Sequence, residues 1–157
     1  MKMNGKVVKN ENIAIAAIPR SDGDLVFIAK PVLNFARFNT LCPQPEAPVI
    51  RYSDGRREPD YKDKAYVQAI ADYAEKRTGW LMLESLKDTP GLEWDTVDLE
   101  DPNTWKNHVK ELEDSGFTPR EINEIHGAVM RANNLDDSQL EAARNRFLAS
   151  QEAQDKE

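Results

Sequence analysis

The residues able to do chemistry are few and scattered. Cys42 is the single cysteine and lies between Leu41 and Pro43. A cysteine nucleophile needs an adjacent base, and neither His108 nor His126 stands near it in the chain. The two histidines fall on different expected helices and lack the cysteine or carboxylate company that zinc takes. Glu121 to His126 is not the helical zinc motif, which needs two histidines four apart. There is no Gly-x-Ser-x-Gly elbow and no glycine loop to cradle phosphate. Asp22-Gly-Asp24 lacks the other ligands of a calcium loop and reads as a turn. The one dense group is Asp88 to Asp101, with six acidic side chains and no basic one. Paired carboxylates such as Glu93, Asp95 and Asp98 suit acid–base catalysis if they ring a concave pocket. The same run also describes a solvated face held down by Leu92 and Trp94, or a docking patch for a basic partner. No catalytic residue, cofactor or metal ligand is assigned, and the chain is read as a binding protein rather than an enzyme.

The elements that would position these residues change character along the chain. Residues 11–18 and 24–30 alternate as short β segments around Asp22-Gly23, a strong turn pair. A lone hairpin is marginal in water and must pack on something. Residues 31–60 carry Pro31, Pro43, Pro45, Pro48 and Pro59, which exclude a long helix. Val32, Leu33, Phe35 and Phe38 are nonetheless too apolar for a free linker. The turn Ser53 to Arg57 reads as the tip of a short hairpin that begins at Val49.

From Tyr61 the apolar spacing is three and four. It predicts helices over 62–87, 101–114, 118–132 and 137–152. Asp101-Pro102 and the capping box Thr118-Pro-Arg-Glu121 mark two of the starts. The last helix places Leu140, Ala143, Phe147 and Leu148 on one side. The expected fold class is therefore α+β: an N-terminal β-hairpin or small antiparallel sheet, then a mainly α-helical part of about four helices. The expected division is 1–60, 61–152 and a frayed tail, 153–157.

Charge supports a boundary near residue 60. Residues 1–60 are net +2 and residues 61–157 net −9. The acidic part repels a phosphate backbone. A helix-turn-helix reading of Phe117 to Leu148 fails similarly, because its second helix opens on Asp136-Asp-Ser-Gln. No nucleic-acid partner is expected. No run reaches the roughly 18 apolar residues of a membrane span, and the lysine-bearing N-terminus lacks the apolar segment of a secretory signal. A soluble protein of a reducing compartment is expected, with no membrane partner.

Several stretches resemble one family, the tail assembly chaperones of long-tailed bacteriophages. They are Phe38 to Pro43, Tyr66 to Leu86, Thr89 to Asp98, Asp101 to Trp105, Gly116 to His126, Ala132 to Leu135 and Arg146 to Leu148. None is a catalytic signature; the resemblance lies in their order, and the N-terminal hairpin carries little of it. It implies a non-catalytic factor in viral morphogenesis that binds the tape-measure protein and tail-tube subunits in the host cell cytoplasm and is absent from the mature virion. Self-association is left open. The alternative is a permanent structural component of the tail or virion. The residues expected to meet the partner are Val32, Leu33, Phe35 and Phe38, with Trp94 as a second contact.

Overall fold

The computed structural model describes residues 1–154. Its order is β1 (Lys2–Met3), β2 (Lys6–Val7), β3 (Ala14–Ile18), β4 (Leu25–Ala29), α1 (Ala36–Leu41), β5 (Val49–Arg51), β6 (Arg57–Pro59), α2 (Lys64–Leu86), a 3-10 turn (Pro102–Thr104), α3 (Asn107–Asp114), α4 (Pro119–Ala132) and α5 (Asp137–Gln154). The fold is α+β, with three separate two-stranded antiparallel sheets. Of the tail expected to fray, 153–157, residues 153 and 154 belong to α5 and 155–157 lie outside the described residues.

The compact units do not divide at residue 60. One unit comprises Met1–Val32, Ser85–Leu92 and the chain from Thr118 onward; the other comprises Leu33–Glu84 and Glu93–Phe117. A division by charge along the chain misses this, because each unit gathers segments that are distant in sequence.

In the first unit, β3 and β4 pair in register from Ala14↔Ala29 to Ile18↔Leu25. Ala16, Ile18, Phe27 and Ala29 form the inner, buried face. α4 packs on both strands, and its own buried side is Ile122, Ile125, Ala128, Val129 and Ala132. The Thr118 capping box forms as expected, with Glu121 Oε2 accepting from the Thr118 N–H at 2.9 Å. Arg20 grips the same carboxylate with two bonds, 2.9 and 3.2 Å.

The β4 edge is satisfied by two hydroxyls one helical turn apart. Thr89 Oγ1 accepts from the Ile28 N–H (2.9 Å) and donates to the Ile28 carbonyl (3.1 Å). Ser85 Oγ donates to the Lys30 carbonyl at 2.6 Å, and the Ser85 carbonyl accepts from the Lys30 N–H at 2.9 Å. Asn133 completes the network. It donates to Ser85 Oγ (3.2 Å) and to the Val129 carbonyl (2.8 Å), and it accepts from the Val32 N–H (2.7 Å). Asn12 donates to the carbonyls of Arg131 and Ala132 at the end of α4 (3.0 and 3.1 Å), the former also accepting from the Asn134 N–H. The tiny β1–β2 hairpin turns on Asn4-Gly5, both at positive φ as a type I′ turn requires.

In the second unit, α1 forms despite the surrounding prolines, because none falls between Ala36 and Leu41. The 49–59 hairpin is present as β5–β6, with Arg56 stacked 4.9 Å over the Tyr52 ring. The single helix expected over 101–114 is broken. Asp101 does cap a start by accepting from the Asn103 N–H, but that start opens only the 3-10 turn. Thr104 Oγ1 then donates to the carbonyls of Asp98 and Asp101, and Trp105 Nε1 donates to the Leu99 carbonyl. These bonds hold the first turn against the acidic loop, and α3 begins afresh at Asn107. Gly116, at positive φ, closes α3.

A glycine lies inside α2 where the helix passes Trp105. A β-carbon at Gly79 would sit 3.4 Å from Trp105 Cβ, an ordinary contact distance. Glycine in a helix interior costs about 0.5–1 kcal/mol relative to alanine, so Gly79→Ala is expected to stabilise by that amount. Chemical denaturation measures it, and a loss of stability would contradict the spacing.

Candidate functional site

The residues expected to bind a partner have different fates. Leu33 is 74% exposed. Val32 is half-buried, its N–H spent on Asn133. Phe35 is half-buried, 5.2 Å from the Trp80 ring and beneath the Arg77 guanidinium at 4.3 Å. Phe38 is corrected: it is 0% exposed. Its ring lies within 5.4–6.2 Å of Phe35, Tyr73, Trp80 and Trp105. It is the hub of an aromatic core, not a contact surface. The spacing of an irregular apolar segment could not distinguish the two roles.

Trp94 is half-buried and meets His108 edge-on at 6.2 Å. Its loop is fastened by Glu111, whose carboxylate accepts from the Asp95 N–H (2.6 Å) and the Thr96 hydroxyl (3.0 Å). His108 is buried, with Nδ1 2.8 Å from the Trp105 carbonyl. A carbonyl only accepts, so Nδ1 carries the proton. Burial pushes this imidazole below its ordinary range, against the weaker pull of that bond.

The acidic loop uses its carboxylates locally. Asp98 accepts from the Glu100 N–H, and Asp101 caps the 3-10 turn. A depression elsewhere in this unit is lined by Asp72, Glu75, Lys76, Pro102, Asn103 and Lys106. It contains none of Glu93, Asp95 or Asp98. Among the described residues no three histidine, cysteine or acidic side chains converge as a metal site. Cys42 is half-buried, and its N–H bonds the Phe38 carbonyl at the end of α1. No described helix is long and apolar enough to cross a membrane.

What sequence reasoning missed is the outer face of the β3–β4 hairpin. Ile15 is 56% and Val26 45% exposed, flanked by Ile13 on the same face. Since Ile28 turns its N–H and carbonyl to Thr89, the Ile15–Ile28 pair is of the non-hydrogen-bonded kind. The polar backbone groups of Ile15 and, by alternation, Ala17 therefore point away from β4. Among the described residues β3 pairs with β4 alone, so these groups form an open edge there. Such edges are usually blunted by charge or proline, and Ile13 to Ile18 contains neither. The signal was available: this strand is apolar at every position, so a half-buried hairpin must leave one greasy face outward.

Two titrations are set by this geometry. The Arg20 hydrogen bonds, with the Thr118 N–H, hold the Glu121 carboxyl below the usual carboxylate range. A depressed carboxyl stabilises fully above its unfolded value, about pH 4.3, and loses that contribution as pH falls toward the folded value. For the depressed His108 the unfolded chain takes up a proton first, so stability falls as pH drops below about 6.5. Glu121→Gln is expected to flatten the acid limb of Tm against pH, and His108→Gln the limb just below neutrality. Limbs identical to wild type would contradict these assignments.

No protein-family model matches this chain, and neither a curated protein nor a solved structure matches it significantly.

Proposed function

We propose that this chain is a non-catalytic assembly chaperone of a long-tailed phage, binding the tape-measure protein and tail-tube subunits in the host cytoplasm and leaving before the virion matures. The observation that supports it best is the apolar outer face of the hairpin, with Ile15 and Val26 about half exposed beside an open β edge. A contiguous apolar face of this kind is a partner-binding feature in a chain whose residues are 31% charged. An open edge adds main-chain hydrogen bonds to whatever extended segment lies along it. A tape measure is a long chain with apolar stripes that aggregates unless covered. The family resemblance in the segments quoted above supplies the identity of the partner; the surface supports only that a protein partner binds.

Co-expression with the tape-measure and tail-tube proteins tests the proposal. The tagged chain is expected to retain at least one of them, and Ile15→Asp, a change on an exposed position, to reduce capture about tenfold or more, since a desolvated charge at an interface costs over 1.4 kcal/mol. Retention of neither protein would refute it. Stoichiometric presence in purified particles would instead identify a permanent tail component.

A further inference from the structure

Beyond Gln139, which is half-buried, α5 lies against nothing among the described residues. Every residue from Leu140 to Gln154 is exposed, and the helix has no buried residue. In proteins most of a helix's stability comes from packing an apolar face, and the 18 residues of α5 bury none. α5 has such a stripe. Leu140, Ala143, Phe147 and Leu148 recur at helical spacing, and Leu140, Phe147 and Leu148 are 52%, 60% and 47% exposed. Leu135, just before the helix, is also exposed.

We infer that α5 pairs antiparallel with the α5 of a second copy of this chain, burying Leu140 and Phe147 and exchanging reciprocal Glu141–Arg144 ion pairs. The charges argue for this occupant. On a helix of 3.6 residues per turn, Arg144, Asp137 and Glu141 lie on one side of the Leu140–Phe147 line, the side that Leu148 shares. A two-fold axis perpendicular to antiparallel helices brings the same flank of both together, so an isologous contact needs a flank that complements itself. This flank does. With the axis between Ala142 and Ala143, each Glu141 comes level with the other copy's Arg144. The same register sets each Phe147 level with Ser138 of the other copy, between its Leu135 and Leu140. One helix per copy is a small interface, so the pairing is reversible and concentration-dependent. It does not rest on the function proposed above, which uses the hairpin.

Light scattering on the full-length chain over a concentration series tests it. The wild type is expected to pass from monomer to dimer. Glu141→Arg and Arg144→Glu, each on an exposed position, are expected to weaken self-association about tenfold by placing like charges opposite one another. An equimolar mixture of the two variants is expected to recover the dimer, because each then supplies the charge the other lacks. Far-UV circular dichroism checks that both variants fold. A wild type that stays monomeric, single variants that associate as well as wild type, or a mixture that fails to recover would each overturn the inference.

Discussion

Phe38→Ala is expected to lower stability by about 3–5 kcal/mol, the range for emptying a buried phenylalanine site. The ring is fully buried and touches four other aromatic side chains, which cannot all collapse into the space it leaves. Phe35 and Trp80 would lose their packing partner, and the edge-on and tilted ring contacts add to the area term. A loss of that size is a large share of the roughly 5–15 kcal/mol that holds a typical domain folded. Urea denaturation monitored by tryptophan fluorescence measures it, since Trp80 and Trp105 both border the ring. Phe38→Leu, which keeps most of the volume, is expected to lose less. A loss under about 1 kcal/mol for the alanine variant, typical of surface substitutions, would return Phe38 to the exposed segment that its sequence context suggested.

The second large effect is expected at Asn133. Its side chain joins the end of α4 to Ser85 and to the backbone leaving β4, through three hydrogen bonds. Asn133→Ala leaves the Val32 N–H without its acceptor and Ser85 Oγ without its donor. Orphaned polar groups cost about 1–3 kcal/mol each when buried. With Asn133 itself half-buried, a net loss of about 2–3 kcal/mol is expected. Ser85→Ala alone strands the Lys30 carbonyl and is expected to lose about 1–2 kcal/mol. The two share one network, so the double variant should lose less than the sum. Strict additivity in thermal or urea melts would show that Ser85 and Asn133 act independently.

The local features of the fold were legible in the residues. The Thr118 capping box is a four-residue pattern whose partners are its own neighbours, and it forms as read. Asp22-Gly23 and the flanking apolar runs place β3 and β4 within a few residues, and Val49 to Pro59 contains the expected small hairpin. Asn4-Gly5 was as strong a turn pair as any in the chain, but the polar residues around it concealed strands only two residues long. The errors are all tertiary. Thr104 breaks a helix through bonds to a loop whose path the sequence does not specify. Phe38 looks like a contact residue until Tyr73, Trp80 and Trp105, distant in sequence, close around it. The first unit takes in Ser85 and Thr89 because their hydroxyls bond the backbone of Lys30 and Ile28, and hydroxyl side chains carry no periodicity that announces such a role.

The candidate surface was half legible for a related reason. Alternation identifies which residues of β3 share a face, but when both faces are apolar it cannot say which one α4 covers. The structure assigns the inner face to α4 and leaves Ile13, Ile15 and Val26 outward. Burial removes Phe38 from the proposed partner contacts, and the exposed hairpin face joins Leu33 and Trp94 among them. The proposed partner surface is thus distinct from α5, for which a second copy was inferred.

Hydrogen exchange of the full chain, alone and in complex with the tape-measure protein, tests whether the partner binds along the β3 edge. Slowed exchange is expected at the backbone amides of Ile15 and Ala17, whose N–H groups face the open edge, with protection extending along residues 13–18 when the partner is bound. An unchanged β3 with protection confined to another segment, or no complex at all, would contradict it.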